Sequence, residues 1–112
     1  MANVYKNIQA TINQAASDVD MYTVPDATTS IVKSVKLYNT HGSNLVVDIS
    51  VYDLSSTTAF EYDTVTVTAS GSVDLLTFNN VLILEAGDIL RMQTPTTNVV
   101  KMTASVLQTS RT

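Results

Sequence analysis

From Ile31 to Tyr52 the chain reads IVKSVKLYNTHGSNLVVDISVY, with apolar and polar residues alternating on both sides of a His-Gly-Ser-Asn break. A period of two marks a strand with one buried and one solvated face. The first arm puts Ile31, Val35 and Leu37 on one face and Ser34, Lys36 and Tyr38 on the other, and Leu45, Val47, Ile49 and Val51 repeat the pattern in the second arm. The short break between the arms predicts one antiparallel hairpin. A two-faced sheet has to cover its apolar side with a second layer, so the hairpin in turn predicts a β-sandwich.

The rest of the chain repeats that grammar. Val4 to Ile12 sets Val4, Lys6, Ile8, Ala10 and Ile12 against Tyr5, Asn7, Gln9 and Thr11, an opening strand whose Lys6 suits a sheet edge. Asn13 to Asp20 is small and polar and reads as a connection. Met21 to Val24 is a short strand stopped by Pro25, and Asp26 to Thr29 supplies turn chemistry. Beyond the polar loop Leu54 to Thr58, strands are expected at Phe60 to Thr68, Val73 to Phe78, Val81 to Leu84, Ile89 to Gln93 and Val99 to Leu107. They are separated by turns at Ser70-Gly71, Asn79-Asn80, Glu85 to Asp88 and Pro95 to Asn98. The expectation is an all-β fold: a single antiparallel sandwich over 1–112, jelly-roll-like, of eight to nine strands. The polar tail Thr109 to Thr112 and the first strand are left for subunit contacts.

With 112 residues the chain is long enough to close one core. It has no cysteine, so that core is closed without disulfides or thiolate metal sites. Hydrophobic residues make up 45% and charged residues only 14%, well under the usual quarter, so much of the surface is Thr, Ser and Asn. A neutral, hydroxyl-rich surface suits lasting contact with protein, because few ions are desolvated when an interface closes. A net charge of −4 with scattered Lys and Arg argues against nucleic-acid binding. No apolar run approaches the roughly 18 residues of a membrane span, and Met1 is not followed by a signal-peptide pattern, so neither membrane insertion nor that route of export is expected.

Catalytic chemistry is sparsely represented. Ser43, His41 and Asp48 supply the residue types of a hydrolytic triad, but no oxyanion hole or pocket is signalled, and His41 reads as a turn residue. Glu61 and Asp63 share a strand face and offer carboxylates to a hard cation, without EF-hand spacing; a solvated strand face explains them equally. Asp18 with Asp20 and Glu85 with Asp88 form similar pairs. With no Trp, a sugar cleft built around such pairs is not expected. The chain is therefore read as a non-enzyme with no cofactor, metal or small-molecule substrate. Gly87 reads as the turn residue between Leu84 and Ile89. Tyr38 and Tyr52 fall opposite the predicted core of the hairpin, where large rings with a polar tip are typical of protein contacts.

Three stretches carry a resemblance. YTVPDATTSIVKSVKLYNT (Tyr22 to Thr40), VVDISVYD after the break, and LILEAGDILRMQ (Leu82 to Gln93) together resemble small virion structural proteins of tailed bacteriophages, over roughly Tyr22 to Leu107. Asp26 stands where those proteins carry a small residue after the proline, which leaves the turn intact. The resemblance implies a non-enzymatic sandwich made in the host cytoplasm and carried on the capsid exterior, decorating or cementing the head. It implies a homotrimer whose partner is the phage major capsid protein. Neck, tail or baseplate placement in the same virion is the alternative, and a glycan-binding module on the virion surface, using Tyr52, Asp53 and Tyr62, is a second. Subunit contacts are expected at Tyr5, Tyr38, Tyr52 and Arg111.

Overall fold

The computed structural model describes residues 2–76 and 81–110. Its strands are β1 (Ala2–Thr11), β2 (Val19–Thr23), β3 (Thr28–Asn39), β4 (Leu45–Asp53), β5 (Thr58–Val67), β6 (Ser72–Leu76), β7 (Leu82–Leu84), β8 (Ile89–Gln93) and β9 (Val100–Ser110). They form two antiparallel sheets. Sheet A runs β1-β9-β3-β6 with β7 also paired to β3, and sheet B runs β2-β8-β4-β5. β6 and β7 pair in line along one side of β3, against Val35 to Tyr38 and Ser30 to Val32 respectively, and so act as one interrupted edge strand. Counted that way the order is that of an eight-stranded jelly roll. Part of the strand predicted over Val73 to Phe78, and the turn at Asn79-Asn80, lie outside the described residues.

The predicted hairpin is not one. β3 lies in sheet A and β4 in sheet B, and neither pairs with the other. The intervening residues carry the chain across the sandwich as an arch. Its anchor is Asn39, the last residue of β3 and fully buried. Asn39 Nδ2 donates to the carbonyls of Ser43 (2.9 Å), Val67 (3.1 Å) and Thr68 (3.3 Å), while its Oδ1 accepts the His41 backbone N–H (2.8 Å). One side chain thus satisfies the arch and the end of β5 together. The second arm behaves as predicted: Leu45, Val47 and Ile49 are buried and Val51 partly so.

The first arm does not, because β3 carries a bulge at Lys33. Val32 pairs with Val106 and Ser34 with Ser105, which leaves Lys33 as the extra residue. An inserted residue reverses the alternation. Thr28, Ser30 and Val32 face inward before it and Val35, Leu37 and Asn39 after it, so Ile31 faces outward rather than joining Val35 and Leu37.

Between the sheets, Val32, Val35, Leu37, Met102 and Val106 meet Val47, Ile49, Leu90 and Met92, each 0–1% exposed. Burying a side chain of that size stabilises by about 1.5–3 kcal/mol. One polar knot sits at the margin of this core. Tyr22 of β2 is buried; its hydroxyl accepts from Gln108 Nε2 of β9 (2.6 Å) and shares a hydrogen bond with Ser30 Oγ of β3 (2.7 Å), tying sheet B to sheet A. Tyr22→Phe leaves Ser30 Oγ and the Gln108 amide unpaired, and is expected to cost about 1.5 kcal/mol in urea unfolding. An unchanged midpoint would show that the knot contributes nothing.

The chain crosses between sheets again at the Glu85 to Asp88 turn, between β7 and β8. Gly87 has φ +84° there, and a Cβ on it would collide with the Leu54 side chain, so glycine is required on both counts. Val24 and Asp88 brace the turn through Val24 N–H to Asp88 O (3.0 Å) and Gly87 N–H to Val24 O (3.1 Å).

Candidate assembly surfaces

The outward turn of Ile31 has a consequence on the solvent face of sheet A. Register pairs Tyr5 with Leu107, Leu107 with Ile31, and Ile31 with Ile83, so β1, β9, β3 and β7 contribute one residue each to a single cross-strand row. All four side chains point away from the core. Tyr5 is 74% and Ile83 62% exposed, with Ile31 and Leu107 partly covered between them. Apolar rows of this kind normally face a core or a partner. Beside the row the same face carries Lys33, Lys36 and Lys101. Lys33 Nζ stands 5.6 Å from the centre of the Tyr5 ring. Lys36, Tyr38 and Lys101 edge a groove of about 320 Å³ that also takes in Gln9, Thr11 and Thr103. Asp74, opposite Lys36, is the carboxylate of this face among the described residues.

The solvent face of sheet B has the opposite sign. Arg91 Nε is paired with Asp20 Oδ1 at 2.8 Å, and its guanidinium lies 4.7 Å from the centre of the Tyr52 ring. That leaves Asp18, Asp48, Glu61 and Asp63 around a hollow of about 360 Å³. Asp48 accepts from Thr64 Oγ1 (3.1 Å). Ser50 lines the hollow, and its Oγ is buried without a hydrogen-bond partner among the described residues. The extra residue in β5 is Tyr62, since Ile49 pairs with Asp63 and Ser50 with Glu61; Glu61 and Asp63, on either side of it, both line the hollow. Among the described residues no three of His, Cys, Asp and Glu stand close enough to hold a metal ion, so the carboxylates gather without forming a cation cage.

The structure separates the tyrosines that sequence reasoning placed together. Tyr5 and Tyr38 lie on the outer face of sheet A, Tyr38 45% exposed, whereas Tyr52 lies on the outer face of sheet B under Arg91. Tyr38 and Tyr52 cannot share a contact made by one hairpin, because β3 and β4 belong to different sheets. Arg111 lies outside the described residues. Ile31, Leu107 and Ile83 were missed as surface residues. The signal was the break in alternation at Ile31-Val32-Lys33-Ser34, where two apolar residues in succession precede two polar ones. The paper triad does not assemble: His41 Nδ1 accepts the Ser43 backbone N–H (3.2 Å), and the nearest bond of Asp48 goes to Thr64. Asp53, proposed for a glycan site, is occupied locally. Its Oδ1 accepts the Ser55 hydroxyl (2.7 Å) and N–H (3.1 Å), and the hydroxyl bond is the main cause that lowers its pKa below the ordinary carboxylate value.

No protein-family model matches the chain, and no curated protein matches it in sequence. Solved structures do match it in fold. One is an endospore appendage of Bacillus, of a family of disulfide-linked pili, with a TM-score of 0.60 at 13% identity over 98% of this chain and 89% of that one. Another is the virus-like particle of the extra small virus of the giant freshwater prawn Macrobrachium rosenbergii, with a TM-score of 0.55 at 15% identity over 96% of this chain and 79% of that one. At such identities what is shared is the fold: the chain is a jelly-roll sandwich similar in architecture to these two proteins.

Proposed function

We propose that the chain is a non-enzymatic structural subunit of a tailed-bacteriophage virion, a capsid decoration or cement protein on the exterior of the head. The observation that carries this reading is the apolar row Tyr5–Leu107–Ile31–Ile83, left in solvent on the outer face of a sandwich whose core is already closed. The low charge of the chain and the quoted phage-like segments support it. So does the sharing of this fold with proteins from a pilus and a virus-like particle. A cement protein acts by linkage: it binds the assembled lattice of the major capsid protein better than loose subunits, so each bound copy stabilises the shell. Repetition over a symmetric surface, with the protein as a trimer, turns a modest contact into a persistent one.

The test is to mix the purified protein with heads that lack it. Co-sedimentation with the heads and a rise of several degrees in the temperature at which they release DNA are expected. Ile83→Asp, which puts a charge into the exposed row, is expected to weaken that binding at least tenfold. Protein that stays in the supernatant and leaves the heads as heat-sensitive as before would overturn the capsid reading in favour of the neck or tail.

A further inference from the structure

We infer that the Lys36–Lys101 end of the outer face of sheet A, further along β3 from the apolar row, docks on the acidic outer face of sheet B of a second copy of this chain, head to tail. The proposal rests on the reading of the chain as an assembly subunit and names the partner of its exposed faces.

Charge complementarity carries it. On sheet A, Lys33, Lys36 and Lys101 stand against the single carboxylate of Asp74 among the described residues. On sheet B, once Asp20 is matched by Arg91, the carboxylates of Asp18, Asp48, Glu61 and Asp63 face solvent with no cation among the residues lining their hollow. The two faces are the two sides of one sandwich, so each copy presents one of each sign. With principal extents of 45 × 27 × 21 Å, the molecule has broad faces ample for the roughly 800 Å² per partner of a standard interface.

Contact between unlike faces is heterologous, so it propagates from copy to copy and closes into a ring when its rotation divides a full turn. An isologous pairing of sheet A with sheet A would set lysines against lysines, and sheet B with sheet B carboxylates against carboxylates. Like-charge juxtaposition of that kind selects against both. The long-range attraction is screened within about 8–10 Å at ordinary ionic strength, so association should weaken as salt rises.

Complementary charge reversal tests the contact. Lys36→Glu with Lys101→Glu makes both faces acidic, and Asp48→Lys with Glu61→Lys cancels the acidic charge of sheet B while sheet A stays basic. All four side chains lie on outer faces, so the core is untouched, and thermal unfolding checks that both variants fold. By light scattering, the wild-type protein is expected to exceed the monomer mass in 50 mM salt. Each variant alone should associate on the order of 100-fold more weakly, and an equimolar mixture of the two should recover association. Zero-length carbodiimide on the wild-type protein is expected to join Lys36 or Lys101 of one copy to Asp48 or Glu61 of another. Variants that associate as well as wild type, or a mixture that stays monomeric, would overturn the contact. Wild-type protein that binds heads while remaining monomeric in solution would overturn it too, and leave the virion reading standing. Copies that associate as expected but never bind a head would do the reverse.

Discussion

Asn39→Ala is expected to lower the unfolding free energy by about 3 kcal/mol, read as a fall in the urea midpoint at unchanged slope. Asn39 is fully buried where the chain leaves sheet A, and its amide serves three carbonyls and one N–H. Truncation strips the Val67 carbonyl of a buried partner, removes the brace of the Thr40 to Asn44 arch, and opens a small void. Each unmet polar group costs about 1–3 kcal/mol when water cannot replace the partner, and a network tends to fail together. Asn39→Asp should be at least as damaging despite its matched shape, because it has no donor and turns a carboxylate toward the carbonyls of Ser43, Val67 and Thr68. Val67 caps the inner face of β5, so the amides around it should lose hydrogen-exchange protection first. A loss below about 1 kcal/mol for both variants would mean that the arch holds without its anchor.

The same residue explains how far the fold was legible. Alternation along Leu45 to Val51 correctly said which side chains go inward, and the turn residues placed nearly all strand boundaries within a few positions. Alternation does not say which sheet a strand joins. A five-residue connection such as Thr40 to Asn44 either folds a strand back beside its predecessor or lifts it onto the facing sheet, and both leave the period of two intact. What decides here is a buried polar residue at the end of β3 whose partners, Val67 and Thr68, lie 28 and 29 positions away. Local sequence holds no trace of that partnership.

The surfaces were legible to the extent that register was. Reading Ile31 with Val35 and Leu37 assumed unbroken alternation, and the extra residue at Lys33 shifts Ile31 to the opposite side. With Ile31 turned inward on paper, the Tyr5–Leu107–Ile31–Ile83 row does not exist, and tyrosines become the obvious contact residues. Tyr22 shows the limit of that inference from the other direction: its ring is buried and its hydroxyl joins the sheets from inside. The separation of charge was likewise hidden. Lys36 and Asp48 stand only twelve positions apart, yet they decorate opposite faces of the sandwich because the chain crosses between the sheets at the arch between them.

Asp88→Ala is expected to be about as costly as loss of Asn39, near 3 kcal/mol, because Asp88 does the same work at the other end of the sandwich. β7 pairs with the Ser30 to Val32 end of β3, far along that strand from Asn39, and the turn after it carries the chain from sheet A to sheet B. Asp88 is 7% exposed; Oδ2 accepts the Glu85 N–H (2.9 Å) inside the turn, and Oδ1 accepts the Leu54 N–H (3.2 Å) just beyond β4. Hydrogen bonds to an ionised acceptor contribute about 1.5–3 kcal/mol each, so removing the carboxylate strands two N–H groups at once. Asp88→Asn keeps one carbonyl oxygen and the side-chain volume, and should restore roughly half of the loss. Amide exchange at Leu54 and Glu85 separates this account from a general loosening, since both should accelerate in Asp88→Ala and only one in Asp88→Asn. Equal losses for the two variants, with both amides still protected, would assign the cost to the turn backbone instead. These two of the chain's sheet-to-sheet crossings then differ from the strands they join: packing holds the sheets, but at each of the two a buried polar side chain fixes where the chain passes from one to the other, and so which residues each outer face presents.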